Sequence, residues 1–97
     1  MPLTEPVSFK AVLQRGNRVQ VPKLIRWQFK MEPTQVLKVT VKITGAYGDE
    51  TFYARMSKDG RITLPKLTLG LLRDEFDDGE NLADYTLEVE LEPAGSP

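Results

Sequence analysis

The residues of this chain that are best suited to bind a ligand are arginines and lysines beside predicted turns and helix starts. A guanidinium or ammonium group in such a position can contact phosphate oxygens and release condensed counterions, which gives salt-dependent binding to nucleic acids. The candidates are Arg15, Arg18, Lys23, Arg26, Lys58, Arg61 and Lys66. The alternative interpretation is that they are ordinary solvated positions whose aliphatic stems cover apolar surface.

The two arginines that follow the predicted turns, Arg18 and Arg61, have a second structural interpretation. Each could pair with an acid of the other half of the chain and hold the fold closed. The charges are unevenly distributed, because residues 1–73 carry all 13 basic residues and five acids, whereas residues 74–97 carry nine acids and no base. This asymmetry predicts either a basic surface beside an acidic one or two regions that neutralise each other inside the fold.

Most enzyme chemistry is disfavoured by what the composition lacks. The chain contains no cysteine and no histidine, which removes thiolate nucleophiles, the commonest general base and the commonest ligand of transition metals. The sequence contains neither a phosphate-cradling glycine loop nor the ligand spacing of a calcium loop. We therefore predict that the protein is not an enzyme and uses no metal, no cofactor and no small-molecule substrate.

Length and hydropathy predict a single cytoplasmic domain. Ninety-seven residues leave no room for a second core. No apolar run approaches the roughly 18 residues of a membrane span, and the first residues lack the basic and apolar regions of a signal peptide.

An internal repeat organises the chain. When the sequence is shifted by 43 positions, residues 9–30 align with residues 52–73 without a gap, and six of the 22 aligned pairs are identical. The positions of the turns, of the prolines and of the alternating apolar residues also match. We therefore predict a tandem duplication, with repeat one at 9–43, a linker at 44–51, repeat two at 52–91 and a short tail at 92–97.

Each copy is predicted to fold as strand, strand, helix and strand. Two-residue hairpin turns are expected at Gly16-Asn17 and Asp59-Gly60, because these residue types tolerate positive φ. A proline then opens each helix. Alternation of period two predicts one buried face in every strand, formed by Phe9, Ala11, Leu13, Val19, Val21, Leu37, Val39, Val41 and Ile43 in copy one, and by Phe52, Ala54, Met56, Ile62, Leu64, Tyr85, Leu87, Val89 and Leu91 in copy two.

Aromatic residues outside the strands are assigned by their spacing. Trp27 and Phe29 lie in the apolar pattern of the first predicted helix, so we expect them in the core. Tyr47 and Tyr53 are candidates for stacking on bases.

The final strands of the two copies are offset by 48 positions rather than 43. This predicts about five extra residues in the helix–strand loop of copy two and makes Val41 equivalent to Val89. On the outward faces, we expect cross-strand charge pairs among Lys38, Lys42, Glu88 and Glu90.

Six strands with one apolar face each must bury a common core, and closing them removes exposed edges. The predicted fold class is mainly β with two short helices. Its architecture is a six-stranded closed barrel, made of two ββαβ repeats about a pseudo-two-fold axis. Because one chain carries both halves, a monomer is expected.

The segments 17–23 and 60–66 resemble the signature of the AbrB/MazE/SpoVT family, in which a turn is followed by Arg, an alternating strand, Pro-Lys and a short helix. Members of that family are half-barrels that dimerise as swapped hairpins, and many bind DNA. A chain with both halves is more similar to archaeal tandem-repeat proteins of the cradle-loop barrel group, which have a RIFT-type barrel. The resemblance implies a RIFT-type barrel and DNA as the partner. It also implies a binding role for Arg18, Arg26 and Arg61.

Copy two departs from the family pattern, because Leu69 stands where copy one has Arg26. We therefore expect copy one to contribute more to binding than copy two. The predicted function is that of a small non-enzymatic DNA-binding barrel with a regulatory role. The alternative is a structural or protein-interaction barrel that has the AbrB-like fold without DNA binding.

Overall fold

The computed structural model describes residues 5–33, 35–45, 48–76 and 86–94. Within these ranges the order strand, strand, helix, strand occurs twice. The elements are β1 (Val7–Val12), β2 (Arg18–Gln20), α1 (Lys23–Gln28), β3 (Val36–Ile43), β4 (Glu50–Arg55), β5 (Arg61–Thr63), α2 (Lys66–Phe76) and β6 (Thr86–Pro93). The predicted fold class, mainly β with two short helices, is confirmed.

Four strands form one antiparallel sheet in the order β1-β6-β3-β4. Its centre is the pair β3–β6, with Thr40 opposite Glu90. These two strands are the longest, at eight residues each, and their strict alternation of apolar and polar residues suits a sheet with one face against the core. The outer strands then pair symmetrically, Phe9 opposite Val89 and Phe52 opposite Val39.

The register corrects the predicted alignment of the final strands. β3 begins at Val36 and β6 at Thr86, an offset of 50 positions against the 43 that separate β1 from β4. The second half therefore has seven extra residues between its helix start and its final strand rather than five, and five of the seven extend α2, which has 11 residues against the six of α1. Val89 therefore takes the place of Val39, and it lies directly opposite Val41 in the sheet. Both Val41 and Val89 are buried, as predicted.

The two short strands β2 and β5 pair with each other across the halves of the chain. Val19 lies opposite Ile62 at the centre of this ribbon. The Val21 N–H donates to the Gly60 carbonyl at 2.8 Å, and the Leu64 N–H donates to the Asn17 carbonyl at 2.7 Å. Each return strand thus gains most of its backbone partners from the other half.

The two predicted two-residue hairpin turns are wrong in length. Gln14 pairs with Arg18 around residues 15–17, and the Ser57 N–H donates to the Arg61 carbonyl around residues 58–60, so both loops have three residues. Three-residue hairpin loops need a residue in the left-handed region. Asn17 and Gly60 satisfy that need, with φ of 61° and 84°.

The core contains the apolar residues that the strand alternation predicted. Fully or nearly fully buried are Leu13, Val19, Val21, Leu37, Val39, Val41, Ile43, Phe52, Met56, Ile62, Leu64, Leu87, Val89 and Leu91, with Phe9, Ala11 and Ala54 partly buried against them. Tyr85 lies outside the described residues. The Cα radius of gyration is 13.0 Å, the value expected for a compact chain of about 100 residues. Neither helix in the described ranges is long and apolar enough to cross a membrane.

The predicted core position of Trp27 is wrong, because 78% of this residue is exposed. Helix α1 has only six residues, and it packs against the core through Ile25 together with Phe29, the residue that follows the helix. A residue midway between them points away from the core, since positions two apart lie on different sides of a helix.

On the outward face of the sheet, the register places basic residues of β3 opposite acidic residues of β6. Lys42 lies opposite Glu88, as expected, but Lys38 lies opposite Glu92 and not Glu90. The difference follows from the 50-residue offset, which places Thr40 opposite Glu90.

Candidate nucleic-acid interface

The β2–β5 ribbon brings the two turn arginines, Arg18 and Arg61, to one surface. Val19 and Ile62 point into the core and are fully buried, so the alternate residues of both strands point outward. Arg18 lies opposite Thr63 and Arg61 lies opposite Gln20, which makes the two arginines diagonal neighbours, roughly 7–8 Å apart.

Arg61 is held by contacts from both halves of the chain. Its Nη1 lies 3.4 Å from Oδ2 of Asp59, and its Nε donates to Oε1 of Gln20 at 3.3 Å. The Nε2 of Gln20 donates in turn to the carbonyls of Asp59 at 2.9 Å and Gly60 at 3.2 Å. The acid beside Arg61 therefore belongs to its own half, and Gln20 provides the contact between halves.

Asp59 is an exposed carboxylate at the centre of this basic surface. The hydroxyl of Ser57 donates a hydrogen bond to its Oδ1. That bond, together with the charges of Arg61 and Arg18, lowers the pKa of the Asp59 carboxyl below its usual value. The carboxylate thus remains ionised at neutral pH and offsets part of the positive charge around it.

Arg18 and Arg26 are positioned by packing against glycines of the two turns. A Cβ atom built on Gly16 would lie 3.3 Å from the Arg18 Nε, and one built on Gly60 would lie 2.5 Å from both the Nε and the Cζ of Arg26. Both Nε atoms are buried, and neither has a hydrogen-bond partner among the described residues. These guanidinium groups are therefore fixed in place without an acceptor at Nε.

The other candidate residues are exposed around this centre. Arg15 and Lys58 lie in the two three-residue loops, and Lys23 and Lys66 are the first residues of α1 and α2. Helix α1 follows β2 after two residues and α2 follows β5 after two residues, so each lysine stays close to the end of the ribbon.

The two halves differ at the position of Arg26. Arg26 lies on α1 and reaches across to Gly60 of the other half. Its counterpart Leu69 is 6% exposed and belongs to the core. Arg26 and Arg61 therefore lie at the 58–60 loop, whereas Arg18 lies at the 15–17 loop. Within the described residues, the counterpart of Arg26 in the second half is an apolar core residue.

Two residues of this region were missed by the sequence analysis. Gln20 has no signal in the sequence, because its partners lie about 40 positions away. The exposure of Trp27 did have a signal in the sequence. The 43-position shift aligns Trp27 with Gly70, a residue with no side chain to bury. Tyr53 is 63% exposed on β4, and Tyr47 lies outside the described residues.

No known protein-family model matches this chain, and no curated protein matches it. Among solved structures, the solution structure of PHS018 from Pyrococcus horikoshii is similar to it, with a TM-score of 0.68 and 23% sequence identity. The match covers 100% of this chain and 98% of PHS018. At this level of identity the likeness is one of fold, and it extends over the whole length of both chains.

Proposed function

We propose that this chain is a small non-enzymatic protein that binds nucleic acid, with DNA as the expected partner and gene regulation as the expected role. The observation that supports this most is the cross-half pairing of β2 with β5. It brings Arg18 and Arg61 to one face of the ribbon and Arg26 to the 58–60 loop, next to exposed lysines at the helix starts.

Packing of the guanidinium groups favours phosphate as their ligand. An arginine that is already immobilised loses little further conformational freedom when it binds. The Nε atoms of Arg18 and Arg26 are buried without an acceptor among the described residues, and an anion at the outer edge of either group would add charge-assisted hydrogen bonds.

We also propose that the two sheets together form one closed barrel of the cradle-loop type. The supporting contacts are the pairing of Gln14 with Arg18, which joins β1 to β2, and the bond from Ser57 N–H to the Arg61 carbonyl, which joins β4 to β5. With the order β1-β6-β3-β4 in the large sheet, these two corners would complete a ring of six strands.

We expect the protein to sediment as a monomer at micromolar concentration. Each half finds its strand partners in the other half of the same chain, so closure requires no second copy. Sedimentation equilibrium measures the mass directly. An obligate dimer would show instead that the hairpins exchange between chains.

Binding to DNA should weaken steeply as salt concentration rises, because each phosphate contact releases condensed counterions. The test is a titration of mixed-sequence DNA, as duplex and as single strand, at low salt of about 50 mM and then at increasing salt. Arg18→Gln and Arg26→Gln should each lower affinity and reduce the salt slope by about one. Lys66→Gln should have a smaller effect, because α2 has no counterpart of Arg26.

Lys10→Gln is the matched control. It removes the same charge from an exposed position on β1, opposite Glu88 and away from the ribbon, so affinity should not change. Arg61 is less informative, since its contacts with Asp59 and Gln20 mean that its replacement alters stability as well. If neither form of DNA binds at tens of micromolar protein, nucleic-acid binding is excluded.

The second candidate function is that of a structural or protein-interaction barrel. Two observations favour it: Asp59 neutralises part of the arginine cluster, and the helices expose apolar side chains, with Leu24 at 67% and Leu67 at 75%. Absence of DNA binding together with an intact fold would select this alternative.

A further inference from the structure

Helix α1 carries an exposed apolar surface that the fold does not use. Leu24 is 67% exposed and Trp27 is 78% exposed, and with Lys23 they line a shallow depression of about 400 Å³. We call these three residues the α1 patch. Large side chains exposed together in this way are characteristic of binding surfaces.

Stabilisation of the core does not explain this tryptophan. Ile25 and Phe29 supply the inward face of α1, and the position aligned with Trp27 in the other half is Gly70. The second half has the same order of strands and helix and yet has no side chain at the position aligned with Trp27. The indole is therefore free to contact a ligand with one of its faces.

Lys23 lines the same depression as Trp27. Lys23 lies one helical turn before Trp27, at the i,i+4 spacing at which side chains meet. Helix α1 contains no acidic residue, and its Arg26 reaches the arginine cluster of the ribbon. The α1 patch is thus continuous with the proposed phosphate-binding surface.

We propose that Trp27 stacks on an unpaired base, and that the preferred ligand of this surface is single-stranded nucleic acid. This inference rests on the proposed function and specifies the form of its ligand. A planar aromatic ring beside cations is the arrangement by which proteins bind single strands, with stacking on the bases and charge contacts along the backbone. Base faces inside a duplex are covered by their neighbours, so a side chain on a helix surface cannot stack on them.

The protein has a built-in probe for this contact, because Trp27 is its single tryptophan. Titration with oligothymidine at low salt should quench the intrinsic fluorescence, since stacking places a base on the indole. A duplex of equal length should bind through phosphates alone and leave the emission nearly unchanged.

Two substitutions separate stacking from charge. Trp27→Ala should weaken oligothymidine binding by about five- to a hundredfold and leave duplex binding unchanged, whereas Trp27→Phe should retain most of the affinity. Tyr53→Ala is the comparison, because Tyr53 is the other exposed candidate for stacking, 63% exposed on β4. A loss of affinity from Tyr53→Ala with none from Trp27→Ala would overturn the inference. Circular dichroism of each variant verifies that the fold is intact.

Other outcomes would overturn the inference in different ways. Both forms of DNA could bind in a salt-dependent way, with no fluorescence quenching and no effect of Trp27→Ala. In that case the proposed function would stand and the stacking role of Trp27 would be wrong. No binding of either form would remove both. A third outcome is that the tryptophan emission changes with protein concentration and that the mass in solution rises. If Trp27→Ala abolishes this rise, the α1 patch binds a second copy of the chain.

Discussion

A protein carrying Val41→Asp should lose at least about 3 kcal/mol of its free energy of unfolding. Val41 is fully buried at the centre of the sheet, opposite Val89. A carboxylate there would be removed from water without a partner, or would remain neutral at the cost of an unsatisfied hydroxyl. Small domains are stable by only about 5–15 kcal/mol. Urea denaturation followed by circular dichroism measures the loss, since the exposed Trp27 is a poor probe of unfolding.

The matched control is Val36→Asp, the same change in the same strand. Val36 begins β3, is 36% exposed and lies opposite Arg55. Its replacement should change stability by less than about 1 kcal/mol. Equal denaturation midpoints for the two variants would show that the assigned inward face of β3 is wrong.

Gly60→Ala should destabilise the protein by about 1–3 kcal/mol. The φ of Gly60 is 84°, a left-handed conformation in which a Cβ atom is strained. The new atom would also lie 2.5 Å from the Arg26 guanidinium, so this side chain must move. We therefore expect weaker DNA binding in the same variant. Denaturation midpoints and the DNA titration measure the two effects separately.

Gly70→Ala is the internal reference for this substitution. Gly70 lies within α2, and a Cβ atom there would meet nothing within 4 Å, so the exchange should stabilise the helix by about 0.5–1 kcal/mol. Repeating Gly60→Ala in an Arg26→Ala background should reduce its cost, because the steric part disappears and the backbone strain remains. An unchanged cost in that background would show that Arg26 does not pack on Gly60.

Much of the fold could be predicted from local patterns in the sequence. The alternation in residues 36–43 and 87–91 identified the buried face of both central strands. Pro22 and Pro65 marked the starts of the helices to within a residue. Arg18 and Arg61 were predicted to lie beside turns, and they do. These features depend on near neighbours along the chain, because side-chain direction in a strand has a period of two and helix starts depend on a few adjacent residues.

The tertiary structure alone decided which strands pair and which surfaces remain exposed. Every strand offers the same backbone donors and acceptors, so nothing local distinguishes the pairing of β2 with β5 from a simple hairpin. The contact of Gln20 with Arg61 and the packing of Arg26 on Gly60 follow from that pairing. The exposure of Trp27 was likewise decided by the tertiary structure, because burial is determined by what packs against a helix face and not by the hydrophobicity of the residue alone.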